Sequence, residues 1–220
     1  MLGEAAGLAF LAALSPTAML VAAAYLGSAN PRKTSLFYLA GAVLMSAVIG
    51  VILILALRVG GLNNPHQPTP RYGLRLGLGV LALGIGVVMA RRKPRPPRSD
   101  KKPGLMARLI ARPSPVTAFV TGLLIFTPSV TFIASIQVIA TSQASDARIA
   151  AALAIVVAIY VLGVWAPYVL YLIAPEPTTR RLKAFDEWLR AHSRMLLTGV
   201  LTVAGVFLIL NGALGLTGAI

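Results

Sequence analysis

Apolar residues in this chain neither alternate nor fall on one helical stripe; they come in long runs. Six stretches lie near the ~20 residues an α-helix needs to cross about 30 Å of hydrocarbon. They are Ala5 to Leu26, Ser35 to Leu57, Tyr72 to Ala90, Val116 to Ala140, Ile149 to Ile173 and Met195 to Leu216. Together they take up 136 of the 220 residues, so the connectors are too short for a soluble domain. One connector is amphipathic: from Thr178 to Arg194, Leu182, Phe185 and Leu189 share a face, which predicts an interfacial helix with Trp188 at headgroup depth and His192 solvated.

Composition agrees with the runs. At 57% hydrophobic and 12% charged residues the chain cannot present a water-facing surface. The net charge of +14 alone suggests nucleic acid, but the basic residues sit in connectors between apolar runs rather than in a basic domain, so no nucleic-acid partner is expected. With no cysteine, disulfides, thiolate metal sites and thiol relays are excluded. Charge also sets direction: sixteen Lys and Arg lie in the connectors after spans 1, 3 and 5, against Arg58, Arg71, Arg75 and Arg148 on the other side. The positive-inside rule then predicts both termini outside. Glu4 stands where a signal peptide carries basic residues, so the first span is expected to remain in the mature protein.

The densest basic stretch, Arg91 to Gly104, is broken by prolines and reads as a cytoplasmic linker. The expected organisation is a three-helix repeat over 1–90, a basic linker over 91–112 and a second three-helix repeat over 113–220. The linker's charges suit topology and attraction to anionic lipid headgroups, or the docking of a cytoplasmic partner.

An odd number of spans per half implies that related halves are inserted in opposite senses. The expected fold is therefore an all-α integral membrane protein with six transmembrane helices as a 3+3 inverted repeat. Two signs point that way: Ser15, Pro16 and Thr17 interrupt span 1, and Thr127, Pro128 and Ser129 interrupt span 4 at similar depth. Gly79-Val80-Leu81 and Gly199-Val200-Leu201 match in spans 3 and 6. Proline in a helix frees carbonyls that hydrocarbon cannot satisfy. The flanking hydroxyls either back-bond to their own helices around simple kinks, or line a substrate pathway at the repeat interface. Span 4 is the most polar, with Thr117, Thr121, Thr131, Ser135 and Gln137; these and Asn211 of span 6 suit interhelical hydrogen bonds or the pathway equally. Candidate pathway residues are thus Ser15, Pro16, Thr17, Thr127, Pro128, Ser129, Thr131, Gln137 and Asn211. Gly73, Gly77, Gly84, Gly205 and Gly212 read as close-packing positions, and Pro167 as a kink in span 5 with Tyr168 and Tyr171 in an aromatic belt.

No Asp or Glu falls inside a span, and Arg75 lies near enough to an outer end to snorkel. That pattern argues against metal transport and against a proton-coupled exporter. No catalytic motif is present, and His66 and His192 lie in loops on opposite sides, so neither an enzyme nor a bound cofactor or metal is expected.

Three stretches carry a resemblance: Ala12 to Leu20 (AlaAlaLeuSerProThrAlaMetLeu), AsnProArgLysThr followed by PheTyrLeuAlaGly, and ProSerProValThrAlaPhe followed by LeuLeuIlePheThrProSer. They resemble the Gap/Sap lipid-addressing proteins of the lysine exporter (LysE) superfamily over nearly the whole chain. Ser15 and Pro16 match a first-span motif that reads ProGlyPro in the superfamily's amino-acid exporters, and the missing glycine counts against amino-acid export. Pro115 and Pro128 match two expected prolines, with Ser114 where Asn is frequent.

The resemblance implies a multi-pass bacterial inner-membrane protein that exports or helps translocate envelope glycolipids beside a large lipid transporter of the MmpL type. Oligomerisation is compatible with that role. Hydroxyls and free carbonyls without a buried carboxylate suit an amphiphile with a sugar head. Two alternatives remain open: an exporter of amino acids or related metabolites, and a membrane scaffold for envelope lipid machinery.

Overall fold

The computed structural model describes residues 2–59, 69–91, 109, 113–142 and 144–216. Nine helices are described: α1 (Leu2–Ala13), α2 (Pro16–Leu26), α3 (Pro31–Val59), α4 (Thr69–Arg91), α5 (Pro115–Ile125), α6 (Val130–Ala140), α7 (Asp146–Tyr160), α8 (Leu162–Ile173) and α9 (Pro175–Leu216). No strand occurs among the described residues. Three helices are long and apolar enough to cross a membrane, or six segments if each bent pair counts as one span. The large apolar side chains left exposed on α3, α4 and α9, among them Ile52, Leu55, Val80, Val203 and Leu210, then face lipid. Apart from Arg91 and Leu109, the predicted linker lies outside the described residues, as does the outer loop with His66.

Spans 1 and 4 are each two helices, bent by 62° between α1 and α2 and by 71° between α5 and α6. The prolines do not sit mid-helix. Pro16 opens α2 with Ser15 as its N-cap, and Pro115 opens α5 with Ser114 as its N-cap. That is where a residue without an N–H loses nothing. Ser114 and Thr117 form a full capping box, each side chain accepting from the other's backbone N–H at 3.1 and 2.8 Å. At the span 4 break the cap is Ser129, directly after Pro128. Matched by cap, Ser15 corresponds to Ser129 and Thr17 to Thr131, two positions away from the correspondence that the prolines suggest.

Span 5 is also broken, by 68° at Val161 rather than at Pro167. Pro167 is inside α8, where its missing N–H and its ring both bear on the carbonyl four residues back. The regular ladder gives way just before that turn: Val164 and Trp165 both donate to the Val161 carbonyl. The carbonyl of Ala158 loses its usual partner at Leu162, and the indole Nε1–H of Trp165 donates to it instead at 2.8 Å. Trp165 therefore caps a broken span.

Glycines set two close crossings. A Cβ on Gly41 of α3 would strike the Phe119 carbonyl of α5, and one on Gly122 of α5 would strike the Tyr38 carbonyl of α3. Between α4 and α9 the approach is reciprocal: a Cβ on Gly79 would stand 3.0 Å from the Gly205 carbonyl, and one on Gly205 3.1 Å from the Gly79 carbonyl. Gly212 packs equally tightly on Leu76 and Tyr72. Gly73, Gly77, Gly84 and Gly199, by contrast, have nothing within 4 Å of a Cβ position, so close packing does not explain them.

The stretch 178–194 is helical but not a separate element. It is the first part of α9, 42 residues that run without a break into the last span and extend about 63 Å at 1.5 Å per residue. Within it Trp188 is exposed, its ring stacks on His192 at 4.9 Å, and His192 Nδ1 lies 2.9 Å from the Trp188 carbonyl. The side chains of Leu182, Phe185 and Leu189 lie outside the described residues.

Candidate functional site

Two hydrogen bonds fix how the broken spans cross. The Tyr25 hydroxyl of α2 donates to Thr121 Oγ1 of α5 at 2.8 Å, and the Ser135 hydroxyl of α6 donates to the Ala5 carbonyl of α1 at 2.8 Å. One position ascends the chain while the other descends, so spans 1 and 4 are antiparallel. The break in each span falls between the residues that make these bonds.

At the breaks the candidate residues divide. Ser15 and Ser129 face their own helices, with Oγ accepting from Ala18 N at 3.5 Å and from Phe132 N at 3.2 Å. Their hydroxyls thus serve as caps. Thr131 is buried, 3.1 Å from the Ser129 hydroxyl, and Pro16 is buried as well. Thr17, Thr127 and Pro128 are exposed. Two threonine side chains thus stand exposed beside the breaks.

A chain of rings that sequence reasoning missed closes the crossing from within. Tyr25 packs on Tyr38 at 5.3 Å, Tyr38 on Phe126 at 6.3 Å, and Phe126 on Tyr160 at 5.2 Å. Phe132 stacks on Tyr160 at 4.4 Å. Each tyrosine hydroxyl meets backbone or side-chain oxygen: Tyr38 donates to the Ala18 carbonyl at 3.2 Å and Tyr160 to the Thr127 carbonyl at 3.3 Å. Tyr160 thereby satisfies a carbonyl within the span 4 break itself. The sequence signal was available: a tyrosine deep in an apolar run needs an acceptor, and an interrupted helix supplies one.

Gln137 and Asn211 do not line the breaks. They meet a third residue, Arg75 of α4, which is buried rather than snorkelling to an end. Arg75 Nε donates to Gln137 Oε1 at 3.2 Å and its NH1 to Asn211 Oδ1 at 2.8 Å. The same NH1 lies 3.1 Å from Glu4 Oε1, with side-chain exposures of 10% for Arg75 and 22% for Glu4. The pair is close without being aligned as a hydrogen bond, since Glu4 Oε1 is buried with no hydrogen-bond partner. The Tyr72 ring lies 5.8 Å from the guanidinium carbon. The cluster joins α1, α4, α6 and α9, and corrects the expectation that Arg75 snorkels to an outer end; its acidic partner, Glu4, lies just before the first apolar run. Its signal was a lone arginine seven residues into α4 together with a lone glutamate in the first turn of α1; two isolated opposite charges in apolar helices call for each other.

The description "Sap, sulfolipid-1-addressing protein" matches residues 6–214, nearly the whole chain. The chain belongs to this family. No curated protein and no solved structure matches it. As a family member with its apolar helices, it is a membrane protein with a role in lipid addressing. Among the described residues no three His, Cys, Asp or Glu side chains gather as metal ligands.

Proposed function

We propose that this chain is a multi-pass inner-membrane protein, with both termini outside, that moves an envelope glycolipid or helps a larger transporter to do so. The observation that carries the reading is the antiparallel pairing of two broken spans with exposed Thr17 and Thr127 at the level of the breaks. Broken helices that meet mid-bundle are how transporters present polar groups to a substrate inside hydrocarbon. The antiparallel spans 1 and 4 and the reciprocal Gly79–Gly205 crossing of spans 3 and 6 support a 3+3 inverted repeat, the arrangement that alternating access exploits. In this reading the first part of α9 continues out of the last span on the cytoplasmic side, and its basic residues nearest the span meet anionic headgroups. The pathway residues are then Thr17 and Thr127, with Pro128 and Pro16 shaping the breaks and Ser15, Ser129 and Thr131 holding the helix ends.

The test compares solvent-extractable surface lipid with total lipid by mass spectrometry, in a deletion strain complemented with the native chain or with Thr17→Val/Thr127→Val. The expected result is loss of one glycolipid class from the surface and its retention inside, at unchanged protein level. A surface profile that the double variant leaves intact removes Thr17 and Thr127 from the pathway; one that the deletion leaves intact overturns lipid export.

A further inference from the structure

Helix α1, the first half of broken span 1, is held to the bundle by little. Its buried face is Ala5, Leu8, Ala9, Ala12 and Ala13, four alanines and one leucine, and it lies against α6 and α7. Between helices in a bilayer no hydrophobic drive adds to packing, so a face of alanines contributes little and polar contacts carry a larger share. Among the described residues two such contacts reach α1 from other helices: the Ser135 hydroxyl on the Ala5 carbonyl at 2.8 Å, and Arg75 beside Glu4 at 3.1 Å. Both are made in its first turn, roughly 15 Å along the helix axis from the break at Leu14 and Ser15.

The break is built so that one side can turn without the other. Ser15 caps α2 with its own side chain and Pro16 opens it, so α2 keeps its first turn whatever α1 does. Across the break, Gly163 of α8 meets the end of α1: a Cβ there would stand 3.3 Å from the Ala13 carbonyl, so the missing side chain leaves this joint its room. At the far end, Arg75 is bonded to Gln137 of α6 and Asn211 of α9, and is thereby fixed to the helices that α1 would leave behind. A short arm jointed at one end, and fastened at the other by one ion pair and one hydrogen bond, has the build of a flap. Because α6 is the second half of span 4, moving α1 away from it parts the two broken spans on one side of their breaks.

We propose that α1 is a gate over the breaks and that the Glu4–Arg75 pair is its latch. With the pair formed the pathway is shut at this end, the end that the positive-inside rule puts outside; with the pair broken α1 swings on Leu14 and Ser15 away from α6. The proposal rests on the pathway reading above and adds the element that closes it. The burial of the pair suits a latch. In a dry bundle separating the two charges is costly, whereas the water that enters an opening gate solvates both, so the pair favours two states rather than a continuum. The other end of the same crossing is fastened by different chemistry, the uncharged contact of the Tyr25 hydroxyl with Thr121.

The native chain has no cysteine, so one introduced thiol reports the gate. Ala9→Cys lies on the buried face of α1, and Ala22→Cys on the buried face of α2 beyond the break. Labelling by a membrane-impermeant thiol reagent is followed in opened membranes, where both ends are reached and sidedness does not enter, with Gly3→Cys as the exposed standard. In the native background Ala9→Cys should label slowly. Arg75→Gln and Glu4→Gln should each raise its rate at least roughly tenfold, a modest share of what losing one partner of a buried ion pair costs, while Ala22→Cys stays protected. Glu4→Gln/Arg75→Gln separates a latch from a structural pair: it strands no charge, so its thermal midpoint should return towards the native value, yet the latch is gone and Ala9→Cys should stay readily labelled. Native labelling of Ala9→Cys as fast as that of Gly3→Cys, unchanged labelling in either single variant, restored protection in the double variant, or equal rises at Ala9→Cys and Ala22→Cys each overturns the gate. None of these rates depends on lipid, so a deletion that leaves surface lipid intact overturns the export reading by itself and leaves the labelling result standing.

Discussion

At the scale of single residues, this bundle is organised by polar atoms that hydrocarbon forces into partnership. Trp165 is the sharpest case, because its indole replaces a backbone donor that the span 5 break removed. Trp165→Phe keeps the ring and deletes the bond, leaving the Ala158 carbonyl unpaired. The expected cost is about 1 kcal/mol, seen as a lowered thermal midpoint in detergent. Tyr25→Phe removes only an interhelical hydroxyl contact and should cost about 0.6 kcal/mol. The Arg75 pair behaves differently from both: Arg75→Gln strands Glu4, and Glu4→Gln/Arg75→Gln should recover most of the lost stability. Recovery in the double variant is the measurement that separates charge from packing; additive losses would show that packing dominates.

At the scale of elements, glycine decides how closely helices approach. Gly41 and Gly122 face backbone carbonyls across the α3–α5 crossing, and neither carbonyl can rotate aside. Gly41→Ala should therefore push the helices apart, at about 1–3 kcal/mol for an overpacked contact. Gly84→Ala has open space and removes a poor helix former, so it should be neutral or raise the midpoint slightly. A fall for Gly84→Ala comparable to that for Gly41→Ala would refute this division. The same contrast shows what the sequence could reveal. Spacing by four or seven named Gly205 and Gly212 correctly but also Gly73, Gly77 and Gly84, because periodicity marks a face without saying which neighbour lies against it. The runs of apolar residues gave the three long crossing helices and the three bent helix pairs, and hydroxyls beside proline gave two of the three breaks. The third break was displaced from Pro167 to Val161, since a proline disturbs the turn before it and the neighbouring helices decide where that disturbance is released.

At the scale of the whole molecule, two of the four arginines that the sequence placed on the outer side, Arg58 and Arg75, behave unlike one another. Arg58, at the end of α3, pairs with Asp146 in the first turn of α7 at 2.8 Å, and Asp146 is 90% exposed. That ion pair is solvent-screened and marks an aqueous end of the bundle. Arg75 turns inward to Glu4, Gln137 and Asn211, a choice written in three other helices and so invisible to any count of local charge. Both clusters involve the same end of the spans on which they lie: the end of α3, the starts of α1, α4 and α7, and the last turns of α6 and α9. The positive-inside rule assigns that end to the outside. The chain has no cysteine, so single substitutions report sidedness without a background. Gly3→Cys and Ser145→Cys, both exposed at this end, should react in intact cells with a membrane-impermeant thiol reagent, whereas Ala29→Cys, exposed in the connector between α2 and α3, should react only after the membrane is opened. Labelling of Ala29→Cys in intact cells with protection of the other two would invert the molecule. The Arg75 cluster would then face the cytoplasmic leaflet.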